Sequence, residues 1–209
     1  MAFYRVFLQT LNPFIGKFQV CVPVIPGLLI YVPLLQTKSN NNENLDKKVD
    51  DCRRKLLKCP SWRLFSRCQL LHYLSDAFYD RFKQLGRMED LEEAIRCQRQ
   101  ALALRPPDRS MSLNILAFFL RTRFKHLGRM EDLEEAITCD RQALALRPHG
   151  HPDRSMSLNN LAISVSTRFQ RLGRMEDLEE AITCHRQALA LLPHGHPNCS
   201  SSLNNLASA

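Results

Sequence analysis

The stretch LGRMEDLEEAI stands three times in the chain without a single change, at 85–95, 127–137 and 172–182. Aligning the copies on Gly86, Gly128 and Gly173 gives periods of 42 and 45 residues. The difference is a deletion: RPPDRS (105–110) stands where the next junction has RPHGHPDRS (147–155). Periods of this size mark a repeat array. They override the domain count that 209 residues would suggest, because such arrays grow in one dimension.

Each period holds two helical patterns. In the third copy the first runs from about Arg154 to Leu172, with Leu158, Leu161, Ala162, Val165, Phe169 and Leu172 at steps of three and four. The second runs from Leu178 to Leu192 through Ala181, Ile182, His185, Ala188 and Leu189, and Pro193 stops it. Between them, Gly173 stands where a helix end wants positive φ. Arg168, Arg171 and Arg174 complement the end of the first helix. Asp177 reads as an N-cap, and Glu180 completes a capping-box spacing. On this reading the four acids of the quoted stretch cap a helix and neither ligate nor catalyse.

Composition is that of a soluble helical protein, 44% hydrophobic and 24% charged. The net charge of +8 is unevenly spread: residues 1–60 carry nine Lys/Arg against four Asp/Glu, and residues 61–209 carry 20 against 17. The repeats therefore lack the basic excess of a phosphate-binding surface, and no nucleic-acid partner is expected. No C-x-x-C occurs, and Cys52, Cys59 and Cys68 are irregularly spaced. Cys97, Cys139 and Cys184 are one half-buried helix position copied three times, which needs no disulfide and fits a reducing, cytoplasmic compartment.

Enzyme readings find little support. His149-Gly-His151 and His194-Gly-His196 have no carboxylate or Cys in register and belong to Pro-rich loops, so no metal is expected. Cys184 and His185 are neighbours on a helix, and their side chains diverge by about 100°. The equivalents of His185 are Gln98 and Asp140, which no shared chemistry would tolerate. No Gly-rich phosphate loop is present, so no cofactor and no catalytic residue is assigned.

The ends of the chain differ from its middle. FQVCVPVIPGLLIYVPLL (18–35) is apolar, but Pro23, Pro26 and Pro33 interrupt it, and it has neither the length of a span nor a signal-peptide cleavage site. Membrane attachment is the less favoured reading; 1–42 is expected to be an irregular apolar and polar extension, with TKSNNNEN (37–44) a linker. ENLDKKVDDCRRKLLKCP (43–60) aligns without gaps on EDLEEAIRCQRQALALRP (89–106) as an eroded copy. Lys48 and Lys55 stand there in place of Ala94 and Ala101, as fits a terminal capping helix. At the other end SSLNNLASA (201–209) repeats MSLNNLAIS (156–164) and stops, so the array looks cut.

Paired Ala seven residues apart, then Pro five further on, resembles the tetratricopeptide repeat: Ala94, Ala101, Pro106; Ala136, Ala143, Pro148; Ala181, Ala188, Pro193. Phe82, Phe124 and Phe169 occupy the aromatic place, and Leu-Gly pairs at 85–86, 127–128 and 172–173 the turn. The long period and HPDRSMSLNNLA (151–162) resemble the kinesin light chain type, and the near-identical copies resemble fungal arrays that accompany nucleotide-binding modules or CHAT protease domains. The resemblance implies an all-α, right-handed solenoid of helical hairpins over 43–209. Its parts are a degenerate second helix at 43–60, full repeats at 61–106, 107–148 and 149–193, and a partial repeat at 194–209.

It further implies a non-catalytic scaffold whose first helices line a concave groove for a peptide or helix of a partner protein. The groove positions carried over are Tyr73, Asp76, Asp80, Lys83 and Gln84; Ile115, Phe118, Thr122, Lys125 and His126; and Asn160, Ile163, Thr167, Gln170 and Arg171. Asp76, Phe118 and Ile163 stand where chaperone-binding relatives have Lys, and Asp80, Thr122 and Thr167 where they have Asn, which argues against capture of a C-terminal carboxylate. Ile115, Phe118 and Ile163 favour an apolar partner face. The alternative is a sensor or substrate-recruiting arm of a larger CHAT protease or nucleotide-binding receptor. Self-association through the open last repeat is also expected.

Overall fold

The computed structural model describes residues 33–192 except 105 and 107, with side chains described from Asn42. Among them are seven α-helices and no strand: α1 (Pro33–Lys58), α2 (Leu64–Leu85), α3 (Met88–Ala103), α4 (Arg109–Leu127), α5 (Met130–Ala145), α6 (Arg154–Leu172) and α7 (Met175–Ala190). The chain divides into two compact units, Met1–Asn41 and Asn42–Ala209. In the second, α2 and α3, α4 and α5, and α6 and α7 pair as hairpins, and successive hairpins stack as an all-α solenoid. The apolar run before Pro33, His194, His196 and the partial repeat at 194–209 lie outside the described residues. The stretch 37–44, expected as a linker, is helical instead: it is continuous with the amphipathic 45–58, whose packing outweighs the poor propensity of Ser39–Asn44.

Each hairpin turns on its glycine. Gly86, Gly128 and Gly173 all have φ 68°, and each N–H donates to the carbonyl of Phe82, Phe124 or Phe169 at 2.7 Å. A side chain at this φ would be strained. The paired alanines 94 and 101, 136 and 143, and 181 and 188 have no exposed surface, so neighbouring helices close onto them.

The acids of the quoted stretch do something other than cap. The residue preceding each second helix is Arg87, Arg129 or Arg174, and none of them makes a side-chain cap. Asp90, Asp132 and Asp177 already lie within the first turn, too far in to cap it. Each is instead gripped by an arginine nine residues earlier: Arg81 to Asp90 at 2.5 Å, Arg123 to Asp132 at 2.5 Å, Arg168 to Asp177 at 2.6 Å, with the Nε–H as a second donor. The aspartates are buried and the arginines nearly so.

Two of these arginines also reach back one repeat. Arg81 donates to Asp46 of α1 and Arg168 to Glu134 of α5, both at 2.7 Å. The last glutamate of the stretch pairs between second helices in two copies: Glu135 with Arg99 at 2.6 Å and Glu180 with Arg141 at 2.8 Å. Glu180 therefore does not close a capping box. The middle copy makes the full set of cross-links, one within the hairpin and two between repeats, whereas Glu93 of the first pairs with Arg96 on its own helix.

The helix α1 takes part in the same scheme. Asp46 stands at the place of Glu92 and Glu134, and Val49 is buried with Cys52 and Leu56 packed beside it. Arg67 of α2 donates to the carbonyls of Leu56 and Cys59, as Arg154 of α6 does to those of Leu144 and Arg147. Lys48, at an alanine place, reaches Asp80 at 2.8 Å. At the other end, α7 has no described helix stacked on it, and Leu178 and Ile182 are half-buried where Leu91, Leu133, Ile95 and Ile137 are fully covered.

Caps and cross-links answer differently to amidation. Asn caps a helix as well as Asp, but it carries no charge and offers one oxygen where the guanidinium uses two. Asp132→Asn is expected to lower stability in urea unfolding by about 2–3 kcal/mol, and Glu135→Gln, in an exposed pair, by less than about 1 kcal/mol. Equal small losses would restore the capping reading.

Candidate protein-interaction surface

The fifteen positions expected to line a groove all lie on α2, α4 and α6, and none is fully buried. Neighbouring first helices meet through rings. Tyr79 contacts Phe118 edge-on at 5.2 Å and Phe119 at 5.2 Å, Phe82 meets His126 at 5.3 Å, and Arg171 lies over Phe124 at 6.0 Å. Phe118 and Tyr73 remain exposed, and Ile115 and Ile163 half-exposed. Thr122 and Thr167 turn their hydroxyls back onto the carbonyls of Phe118 and Ile163, at 2.9 and 2.7 Å. Those two present methyl groups more than donors.

The acidic end of this face is organised by α1 as well as α2. Asp80 accepts from Lys48 at 2.8 Å and pairs with Lys83 at 2.9 Å, while the Lys83 ammonium lies 5.1 Å from the Tyr79 ring. Burial alone would raise the Asp80 carboxyl, but its bonds to Lys48 and Lys83 outweigh that and hold it below the ordinary range. Asp76, one turn earlier, has no ion pair. Desolvation pushes it upward against the pull of His72, and Asp80 pushes the same way. Two residues here escaped the sequence reading. Tyr79 has Arg121 and Ser166 as equivalents, so comparison of copies shows only variability, and Lys48 reads as a solvated capping residue.

A second polar feature lies inside the array. The three second helices share one sequence except at 96/138/183, which is exposed, and 98/140/185, which is buried. Gln98 and Asp140 meet different neighbours, and the buried Nδ1 of His185 has no hydrogen-bond partner among the described residues. Gln98 donates to Ser75 at 2.6 Å and lies 3.2 Å from His72, whose other nitrogen is 3.1 Å from Ser112 and 3.4 Å from the Cys68 sulfur. Asp140 accepts from Arg121 at 2.7 Å and from Ser164 at 2.6 Å. Burial nonetheless lifts Asp140 to about 6. Burial raises the Cys68 thiol and lowers His72, so this contact joins two neutral groups and not an activated nucleophile. Burial likewise pushes Cys97 and Cys139 up to about 12 and Cys184 up to about 11. Among the described residues no group of three or more His, Cys, Asp or Glu could hold a metal, and His151 accepts from the Asp153 backbone N–H in its loop.

The split of the two carboxylates is measurable. Carboxyl NMR titration is expected to place Asp76 above and Asp80 below the unfolded value of about 3.9. The Asp80 pairing then stabilises the fold above that value and is lost as pH falls through the lower folded pKa. Lys48→Met is expected to move Asp80 upward, and an unmoved titration would remove α1 from this surface.

Tetratricopeptide repeat models match residues 85–108 and 154–198. No curated protein matches the chain. Among solved structures, a kinesin light chain candidate of Podosopora anserina with nearly identical TPR-like repeats is 21% identical, with TM-score 0.57 over 83% of this chain and 82% of that one. A point variant of that protein is 20% identical, with TM-score 0.58 over 83% and 81%. Matched segments and fold agree with the hairpins described above: residues 85–108 and 154–198 are similar to tetratricopeptide repeats, and the described helices form a solenoid similar in fold to these arrays.

Proposed function

We propose that the unit Asn42–Ala209 is a non-catalytic scaffold that holds a peptide or helical segment of a partner protein along α2, α4 and α6. The observation that carries this reading is the exposed ring of Phe118 against Tyr79, with Ile115 one turn earlier on α4 and Asp76 and Ile163 at the same register on α2 and α6. Repeat stacking uses the aromatic core and the arginine cross-links but leaves Phe118 and Asp76 exposed and Ile115 and Ile163 half-exposed. Such a face suits a segment with an apolar side chain for the rings and polar groups for the carboxylates. The repeat boundaries proposed are 61–106, 107–148 and 149–193, with α1 as a degenerate second helix, supported by the shared roles of Asp46 and Arg67.

Self-association through the last repeat is supported by Glu179 and Arg186. They hold the places of Glu134 and Arg141, and neither has a partner among the described residues. Reduced thiols at all six described cysteines suit a cytoplasmic setting. The fungal, CHAT-associated reading rests on the wording of the repeats, and an open frame downstream of Ala209 encoding a His/Cys domain would support it.

Affinity capture with the full chain tests the groove. Phe118→Ser is expected to reduce partner capture at least about tenfold, whereas Thr138→Lys, exposed on α5, leaves it intact. Equal capture by wild type and Phe118→Ser would move the binding surface elsewhere.

A further inference from the structure

The corner between α1 and α2 departs from the repeat. Measured back from its closing glycine, α2 starts three residues earlier than α4 and α6. Before those two helices the chain has proline-containing loops ending in Asp108 and Asp153; before α2 it reads CPSWR (59–63), with Arg63 in place of the aspartate, and LFSR (64–67) opens the helix. The substituted residues do not enter the core. Trp62, Leu64 and Phe65 are 73, 50 and 58% exposed, and Leu57 in the last turn of α1 is 85% exposed. Trp62 to Ser66 line a shallow concavity of about 440 Å³.

Along the chain the charge of this corner has one sign, although Glu43, Asp46 and Asp50 line the neighbouring concavity that holds Leu57. From Cys52 to Ser75 the chain has six Lys/Arg and no Asp or Glu. Three of the six are engaged: Arg54 by Asp51, Arg67 by the carbonyls of Leu56 and Cys59, and Arg53 by the Phe78 ring. Lys55, Lys58 and Arg63 are exposed and have no ion pair, and the Arg63 guanidinium lies 5.1 Å over the Trp62 ring. Neither the hairpin cross-links nor the groove uses these groups.

We propose that this corner docks peripherally on an anionic lipid surface. The three kinds of side chain present each have a place there: Leu57, Leu64 and Phe65 at the acyl boundary, the Trp62 ring at headgroup level, and Lys58 and Arg63 against lipid phosphates and carboxylates. A nucleic acid would employ the cations and rings but gives the exposed leucines nothing to cover. A purely apolar partner would strand the unpaired cations. No described helix is long and apolar enough to cross a membrane, so the contact proposed is with its surface. This surface is separate from the groove and stands independently of the scaffold reading.

Trp62 is the only tryptophan of the chain, so its emission reports on this corner alone. The full chain is titrated with phosphatidylcholine vesicles containing about 30 mol% phosphatidylserine, and with neutral vesicles. A blue shift with anionic vesicles only is expected, reversed by salt. Replacing both cations, Lys58→Gln with Arg63→Gln, is expected to weaken partitioning about 30-fold, or about fivefold per charge, with helical circular dichroism unchanged. Several results would overturn the proposal. One is an unmoved Trp62 emission on a chain that nonetheless sediments with vesicles, which would place the contact elsewhere. Others are an equal shift with neutral vesicles, a concentration-dependent shift without vesicles that indicates a second copy, or a DNA duplex acting as strongly as the anionic lipid.

Discussion

Everything in this array hangs on one arginine per hairpin. Arg81, Arg123 and Arg168 sit one turn before the ends of the first helices, nearly buried, each with a bidentate grip on an aspartate of the second helix. The glycine between them permits the turn, and the ion pair fixes how the two helices close. The planar guanidinium matches the carboxylate with two donors and keeps others free, so Arg81 and Arg168 can also bind the preceding repeat. A lysine could not hold both geometries at once. Hairpin closure and repeat stacking are therefore coupled through the same side chain.

Repetition of this link makes every repeat alike, and the variable positions make them different. Inside, Gln98 and Asp140 occupy one buried place with unlike partners, and Arg121, paired with Asp140, has Tyr79 and Ser166 as its counterparts. Near-identical repeats could otherwise stack out of order. A slipped register would bury Arg121 or Asp140 without its partner, a cost of about 3–5 kcal/mol. Outside, Asp76, Phe118 and Ile163 vary at one place on the first helices and give the exposed face its character.

The period, the two helices per repeat, the glycine turns and the small residues at closely packed places were all legible in the sequence, because each follows from local periodicity or backbone conformation. The roles of Asp177 and Glu180 were not. A cap and a cross-link call for the same residue type near a helix start, and only the position of the helix end separates them. Spacing nine residues apart across a turn, as between Arg168 and Asp177, carries no helical-face signature. The helix over 37–44 was hidden by its asparagines. The exposed face could be placed on α2, α4 and α6 from register, whereas Tyr79 and Lys48 could not, since their parts depend on contacts between helices.

The most direct test is a double-mutant cycle on Arg123 and Asp132 in the full chain, read by urea unfolding of Arg123→Met, Asp132→Asn and the pair. If the arginine closes the hairpin through this aspartate, the two losses overlap, with a coupling of about 2 kcal/mol or more. Losses that add to within about 0.5 kcal/mol would mean that the two side chains act separately and would contradict the account.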